Sequence, residues 1–262
     1  MKKALLVGLL ALSACDENKY AAVLEAGPDP KASASVMAMA SAMASSSSTP
    51  PPPPAKKKEW KCGTTPGVVD FAGDEALEKE VRLKLGKQPG TMIAPSELAN
   101  VKSINLTKYG PVNDLNPCVM PKFTQIHDVF LGQGELEDLS PLSELSTMVS
   151  LRATDNKVKN IDALKKLVHM DRLDLSHTQI SDLSALSVMT ELTELEIDQT
   201  NVTDLKPLEK LTKLEKVTLA NTAVKDVSPL KNSHNLRVLD ISGTQITDYS
   251  MLTGKGLKVK MN

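Results

Sequence analysis

Aromatic residues make up only 3% of this 262-residue chain, and its formal net charge is -1. A surface that stacks bases and neutralises phosphates needs rings and a cationic excess, so nucleic acid is excluded as a partner. Histidine is scarce as well. His127, His169, His177 and His234 are scattered along the chain, which predicts no metal cluster and no cofactor. Long apolar runs are missing too: the one marked run, Ala4 to Leu12, is too short to span a bilayer permanently. Only Cys15, Cys62 and Cys118 carry thiols.

The short apolar run has a context. MKKALLVGLLALSAC places two lysines before it and small residues after it, the pattern of an export signal. Leu12, Ser13, Ala14 and Cys15 resemble the lipobox of bacterial lipoproteins. That resemblance implies cleavage after residue 14 and a diacylglycerol on Cys15, making the membrane a partner; the alternative is an ordinary signal peptide with a chance cysteine. Asp16 resembles the inner-membrane retention signal of enteric lipoproteins. Two or more acyl chains give stable attachment where one is marginal. The expected location is the cell envelope, facing the periplasm or the cell surface. With Cys15 lipidated, Cys62 and Cys118 remain as an even pair in an oxidising setting, and a disulfide is expected. Two free buried thiols are the alternative; a metal site is not, because two cysteines without a nearby histidine cannot complete one.

Residues 15–59 are rich in Ala, Ser, Met, Pro and Lys, including the run Pro50 to Pro54. Such a stretch cannot bury enough apolar surface to fold and is expected to be a tether. About 45 residues of flexible chain give a reach of roughly 35 to 40 Å.

Beyond the tether the chain repeats itself. LDLSHTQISDLSAL, LEIDQTNVTDLKPL, VTLANTAVKDVSPL and LDISGTQITDYSML are one phrase in four spellings. Ile126, Met148, Met170, Leu192, Leu214 and Leu236 open six units at a constant spacing of 22 residues. In the fourth unit the apolar positions are Leu192, Leu195, Ile197, Val202, Leu205, Leu208 and Leu211. Positions 3 to 7 alternate like a strand, so 4 and 6 point inward and 3, 5 and 7 outward. The chain then turns and brings positions 11, 14, 17 and 20 back into the same core. No unit can bury these side chains alone, so the units stack, with their strands parallel. Position 9, mostly Thr, is expected to satisfy backbone groups at the turn. Position 13 (Asp138, Asn160, Asp182, Asp204, Asp226 and Asp248) is expected to cap a short helical turn. These acids are one unit apart and do not cluster as calcium ligands.

LxxLxLxx(N/T)xI is the signature of leucine-rich repeats, and the 22-residue form with repeated DLxPL resembles the internalin-like bacterial class. The resemblance covers about Val69 to the end of the sequence. It implies an α/β solenoid: a horseshoe or arc with a parallel concave sheet, short helical or 3-10 convex turns and an N-terminal helical cap. The cap is placed at residues 60–100 and the solenoid at 101–262, regular from 126. Leu77, Val81 and Leu85 share one helical face, with Asp74 at its start and Gly86 at its end. Thr107 to Gln125 departs from the pattern, and a Cys62–Cys118 bridge would pin that loop to the cap, contributing about 3 to 4 kcal/mol. LKVKM, at Leu257 to Met261, is expected to be a last edge strand blunted by lysines.

Solenoids of this kind bind partners on the concave sheet. The outward positions 3, 5 and 7 of the six regular units hold six acids and three bases. Phe130, Arg152, Arg172, Asp174, Glu194, Glu196, Asp198 and Lys216 are the candidate partner-binding residues. In the fourth unit only Glu196 and Asp198 have no evident structural role. Catalysis is not expected: Ser176 and His177 adjoin, with Asp155 one unit away, but neighbouring strand residues point to opposite sides. The sequence therefore describes a non-enzymatic, membrane-tethered recognition module whose concave face takes a protein, or less favourably a glycan. The alternative is a structural scaffold subunit of an envelope complex.

Overall fold

The computed structural model describes residues 58–252 and 256–261. The expected signal peptide, Cys15 and nearly all of the tether lie outside the described residues. From Lys57 onward the chain forms a compact unit of its own.

Eight three-residue strands form one parallel sheet whose spatial order is the chain order. They are β1 (Ser103–Asn105), β2 (Asp128–Phe130), β3 (Ser150–Arg152), β4 (Arg172–Asp174), β5 (Glu194–Glu196), β6 (Lys216–Thr218), β7 (Val238–Asp240) and β8 (Lys258–Lys260). The strands are shorter than the five extended positions expected. The ladder nevertheless continues past them, as in Leu131 N–H to the Arg152 carbonyl at 2.9 Å. Constant spacing sets the register: Val129, Leu151, Leu173, Leu195, Val217 and Leu239 pair in line, and none is more than 2% exposed. Position 6 (Leu131, Ala153, Leu175, Ile197, Leu219 and Ile241) forms a second buried row. Each fully buried Leu or Ile contributes about 1.5 to 3 kcal/mol. The neighbours that bury it belong to adjacent units, which is why a single unit cannot stand alone.

Each coil turns twice, and a polar side chain closes each turn. Thr178, Thr200, Thr222 and Thr244 donate their hydroxyls to the carbonyls of Leu175, Ile197, Leu219 and Ile241 at 2.7 to 2.8 Å. Asn156 takes this place one unit earlier, donating to Gly132 and Thr154 and accepting from the Leu136 amide. Gly134 has no side chain because a Cβ there would collide with the Val112 carbonyl. On the convex side are the 3-10 turns Ser140–Leu142, Asp162–Lys166, Ser184–Val188, Lys206–Leu208 and Ser228–Asn232. Asp138, Asp182, Asp204 and Asp226 each accept the amide two residues on, at 2.8 Å. The formal N-cap is the apolar residue after each Asp, and it makes no side-chain bond. The acid therefore closes an Asx turn onto the first helical amide from one residue further out than expected. Hydrogen bonds from Ser184, Ser228 and Ser250 hold the carboxyls of Asp182, Asp226 and Asp248 below the usual range.

A further column carries no sequence signature. Asp155, His177, Gln199 and Asn221, all at position 8, have φ between 51° and 57°, and Gly243 follows at 70°. This left-handed residue reverses the chain after each of β3 to β7. It is strained for non-glycine side chains. The strain is offset by the ladder: the four non-glycine amides donate to the carbonyls of Ser176, Asp198, Ala220 and Ser242 at 2.7 to 3.1 Å.

The N-terminal end is built differently. Helix α1 (Glu75–Leu85) starts at Asp74, whose carboxylate accepts the Leu77 amide, and stops at left-handed Gly86. Leu77 and Val81 face the core. Glu80, fully buried, turns to the sheet edge. Its carboxylate accepts the outward amide of Asn105 in β1 at 3.1 Å and the Tyr109 hydroxyl at 3.0 Å. It also pairs with Lys108 at 3.0 Å and Lys84 at 3.6 Å. Burial alone would raise this carboxyl, but its partners outweigh burial and hold it below the usual range. Glu80 thus stands in for the strand that an edge lacks. A disulfide joins Cys62 to Cys118, 56 residues apart. Beside it Asn116 donates to the Phe71 carbonyl at 2.7 Å. Lys58, placed in the tether by composition, donates its amide to Asp114 and its ammonium to the Gly73 carbonyl. At the other end β8 is covered by nothing comparable among the described residues, and Tyr249, Leu252, Leu257 and Val259 are only partly buried.

Candidate recognition surface on the concave sheet

Because positions 3 and 5 point away from the core, their side chains form two columns across the sheet. Column 3 reads Ser103, Asp128, Ser150, Arg172, Glu194, Lys216, Val238, Lys258. Column 5 reads Asn105, Phe130, Arg152, Asp174, Glu196, Thr218, Asp240, Lys260. β1 and β8 extend the surface at its two ends, beyond the six regular units that the charge count above covers.

The acids in this grid are mostly committed to neighbouring strands. Asp174 lies 3.1 Å from Arg152 Nε and also accepts the Ser176 amide. Glu196 accepts the Lys216 ammonium at 2.8 Å, and that hydrogen bond raises the lysine above its ordinary value. Asp240 accepts the Ser242 amide at 3.0 Å and Lys260 at 2.9 Å. Burial pushes the Asp240 carboxyl up, and these partners hold it below the usual range overall. Asp198, at position 7 just past β5, departs from the expectation that it lacks a structural role, because it accepts the Ala220 amide at 2.6 Å and the Thr218 hydroxyl at 2.8 Å, joining its coil to the next. A side chain so engaged is a strand-to-strand brace. Glu196 is likewise half of a cross-strand pair.

The remaining candidates are less occupied. Phe130 is half-buried on the concave face and does not belong to the core cluster. Arg172 comes no closer than 3.8 Å to a carboxylate, that of Asp171, which already accepts the Thr193 hydroxyl at 2.6 Å. Glu194 lies in register with Arg172 and Lys216, but its side chain forms no hydrogen bond or ion pair among the described residues. Away from the columns, His177 Nδ1 lies 3.5 Å from Asp155, an exposed pair on the turn. Among the described residues no three His, Cys, Asp or Glu side chains converge as metal ligands, and no helix is long and apolar enough to cross a membrane.

Comparison with known proteins agrees with this architecture. The family model "Leucine Rich repeats (2 copies)" matches residues 190–232, about two of the regular units. No curated protein matches the chain significantly. Among solved structures, internalin C2 of Listeria monocytogenes is similar with a TM-score of 0.65 and 24% identity, covering 71% of this chain and 92% of that one. An internalin, inlF, of the same organism is similar with a TM-score of 0.58 and 24% identity, covering 71% of this chain and 62% of its own length. At this identity the likeness establishes the fold alone, a leucine-rich-repeat solenoid.

Proposed function

We propose that this leucine-rich-repeat solenoid is a non-catalytic recognition module, held to a cell-envelope membrane by lipid on Cys15, whose concave sheet binds a protein partner. One observation supports this most strongly. Eight strands present two columns of side chains outside the apolar core, and those not braced to a neighbouring strand, Phe130 and Arg172 among them, are free to serve recognition. A protein suits such an extended surface better than a glycan, since one aromatic, Phe130, stands among 16 positions on the two columns. The export signal and the lipobox support the anchor.

Affinity capture from envelope extract with the tagged full chain tests the binding reading. Phe130→Ala with Arg172→Glu on the concave side is expected to lose the captured partner. Lys165→Glu with Lys206→Glu on the convex side is expected to retain it; the reverse pattern refutes the concave assignment. For the anchor, Cys15→Ser is expected to leave the membrane fraction after a salt wash. A variant that stays bound removes lipid as its cause.

A further inference from the structure

Resting on that concave-face reading, we infer that the partner presents carboxylate side chains beside an apolar one, and that these seat on Arg152, Arg172 and Phe130. Positions 3, 5 and 7 of the six regular units hold six acids to three bases, but the two columns over all eight strands hold five of each. Exposure favours the bases. In each ion pair on the sheet the cation stands above its carboxylate: Arg152 is 53% exposed over Asp174 at 15%, Lys216 35% over Glu196 at 26%, and Lys260 73% over Asp240 at 13%. Of these carboxylates Asp174 and Asp240 also accept amides, and Asp198, outside the ion pairs, accepts an amide and a hydroxyl. An approaching molecule therefore meets ammonium and guanidinium groups first.

The most open of these groups lie together. Phe130 and Arg152 are in register on β2 and β3, and Arg172 lies on β4 beside Ser150. Strand spacing puts all three within about 12 Å. Arg172 is 53% exposed, and among the described residues the one carboxylate within 4.0 Å of it is that of Asp171, at 3.8 Å. Arg152 is held through Nε, which leaves its two terminal nitrogens for a second carboxylate. A guanidinium fork takes a carboxylate through two parallel hydrogen bonds, which a lysine cannot reproduce. Phenylalanine and arginine are both enriched at protein interfaces relative to the rest of the surface. Two charges oppose this arrangement, Asp128 and Glu194. Both are half-buried, and Glu194 acts on Lys216, helping to raise it.

Selection of a phage-displayed random dodecapeptide library on the full chain in detergent tests the inference. The expected consensus pairs Asp or Glu with a large apolar residue. A synthetic consensus peptide is expected to lose about tenfold or more in affinity on Arg152→Ala with Arg172→Ala, and an intermediate amount on Arg→Lys at both sites. It is expected to bind Asp128→Asn with Glu194→Gln unchanged or more tightly. Circular dichroism of each variant separates lost contacts from lost fold. A consensus rich in Lys or Arg that depends on Asp128 and Glu194 overturns the charge assignment and leaves the concave reading standing. No enrichment, or peptides indifferent to both pairs of substitutions, overturns both.

Discussion

The two ends of this solenoid solve the same problem with unequal means. At the N-terminal end a helix, a disulfide and a buried carboxylate close the first coil. At the C-terminal end one short strand with alternating lysines covers a partly buried apolar layer. Between them, stability comes from many small identical rungs, whereas the N-terminal joints occur once each. Loss should therefore be large and local where a joint is unique, and small where a neighbouring rung repeats it.

The disulfide is expected to give the largest loss. Replacing Cys62 and Cys118 by Ser together should cost about 3 to 4 kcal/mol in urea unfolding, since the closed loop is long. Hydrogen exchange should rise first in α1 and in the loop from 107 to 125. Exchange that rises evenly along the solenoid would remove the distinction between unique joint and repeated rung.

Glu80 comes next. Glu80→Ala leaves the Asn105 amide and the Tyr109 hydroxyl without their acceptor and should cost about 1 to 3 kcal/mol. This contribution depends on pH with a fixed sign. The native carboxyl lies below its usual range, so the stabilisation is complete at neutral pH. It begins to fall as the unfolded chain takes up protons near about pH 4.3, and it vanishes below the lower native value. The stability difference between wild type and Glu80→Gln should therefore shrink from pH 6 to pH 3 in parallel unfolding curves. A difference that grows on acidification contradicts the assignment.

A single rung should cost less. Thr200→Val removes one hydroxyl donated to the Ile197 carbonyl at 2.8 Å and should lower stability by about 1 kcal/mol. The matching substitution at Thr222 should cost the same within error. Smallest of all, Glu196→Gln breaks a half-exposed pair with Lys216 and should change stability by less than about 1 kcal/mol. A larger loss would make Glu196 part of the scaffold.

What could be read in the sequence follows from periodicity. Leu195 and Ile197 recur every 22 residues in a fixed chemical type, so strands, core rows, register and the Thr200 rung are visible without coordinates. The left-handed column escaped because Asp155, His177, Gln199 and Asn221 share a conformation and no side-chain chemistry. Asp155, Asn221 and Gly243 were its hints, being residue types that tolerate that conformation. Glu80 escaped for another reason: it is one of several charges on an amphipathic helix, and its acceptor role is defined by Asn105, 25 residues on. On the concave face the sequence counted charges but not their height. Asp198 looked free because its partners, Thr218 and the Ala220 amide, lie on the next coil.

Recognition by the concave face is most directly tested by site-specific photocrosslinking in cells. A photoreactive phenylalanine at Phe130 is expected to trap a protein adduct, lost when Arg152 and Arg172 are changed to Ala in the same chain. The same group at Val188, exposed on the convex side, is expected to trap none. Adducts from Val188 and none from Phe130 would contradict the account.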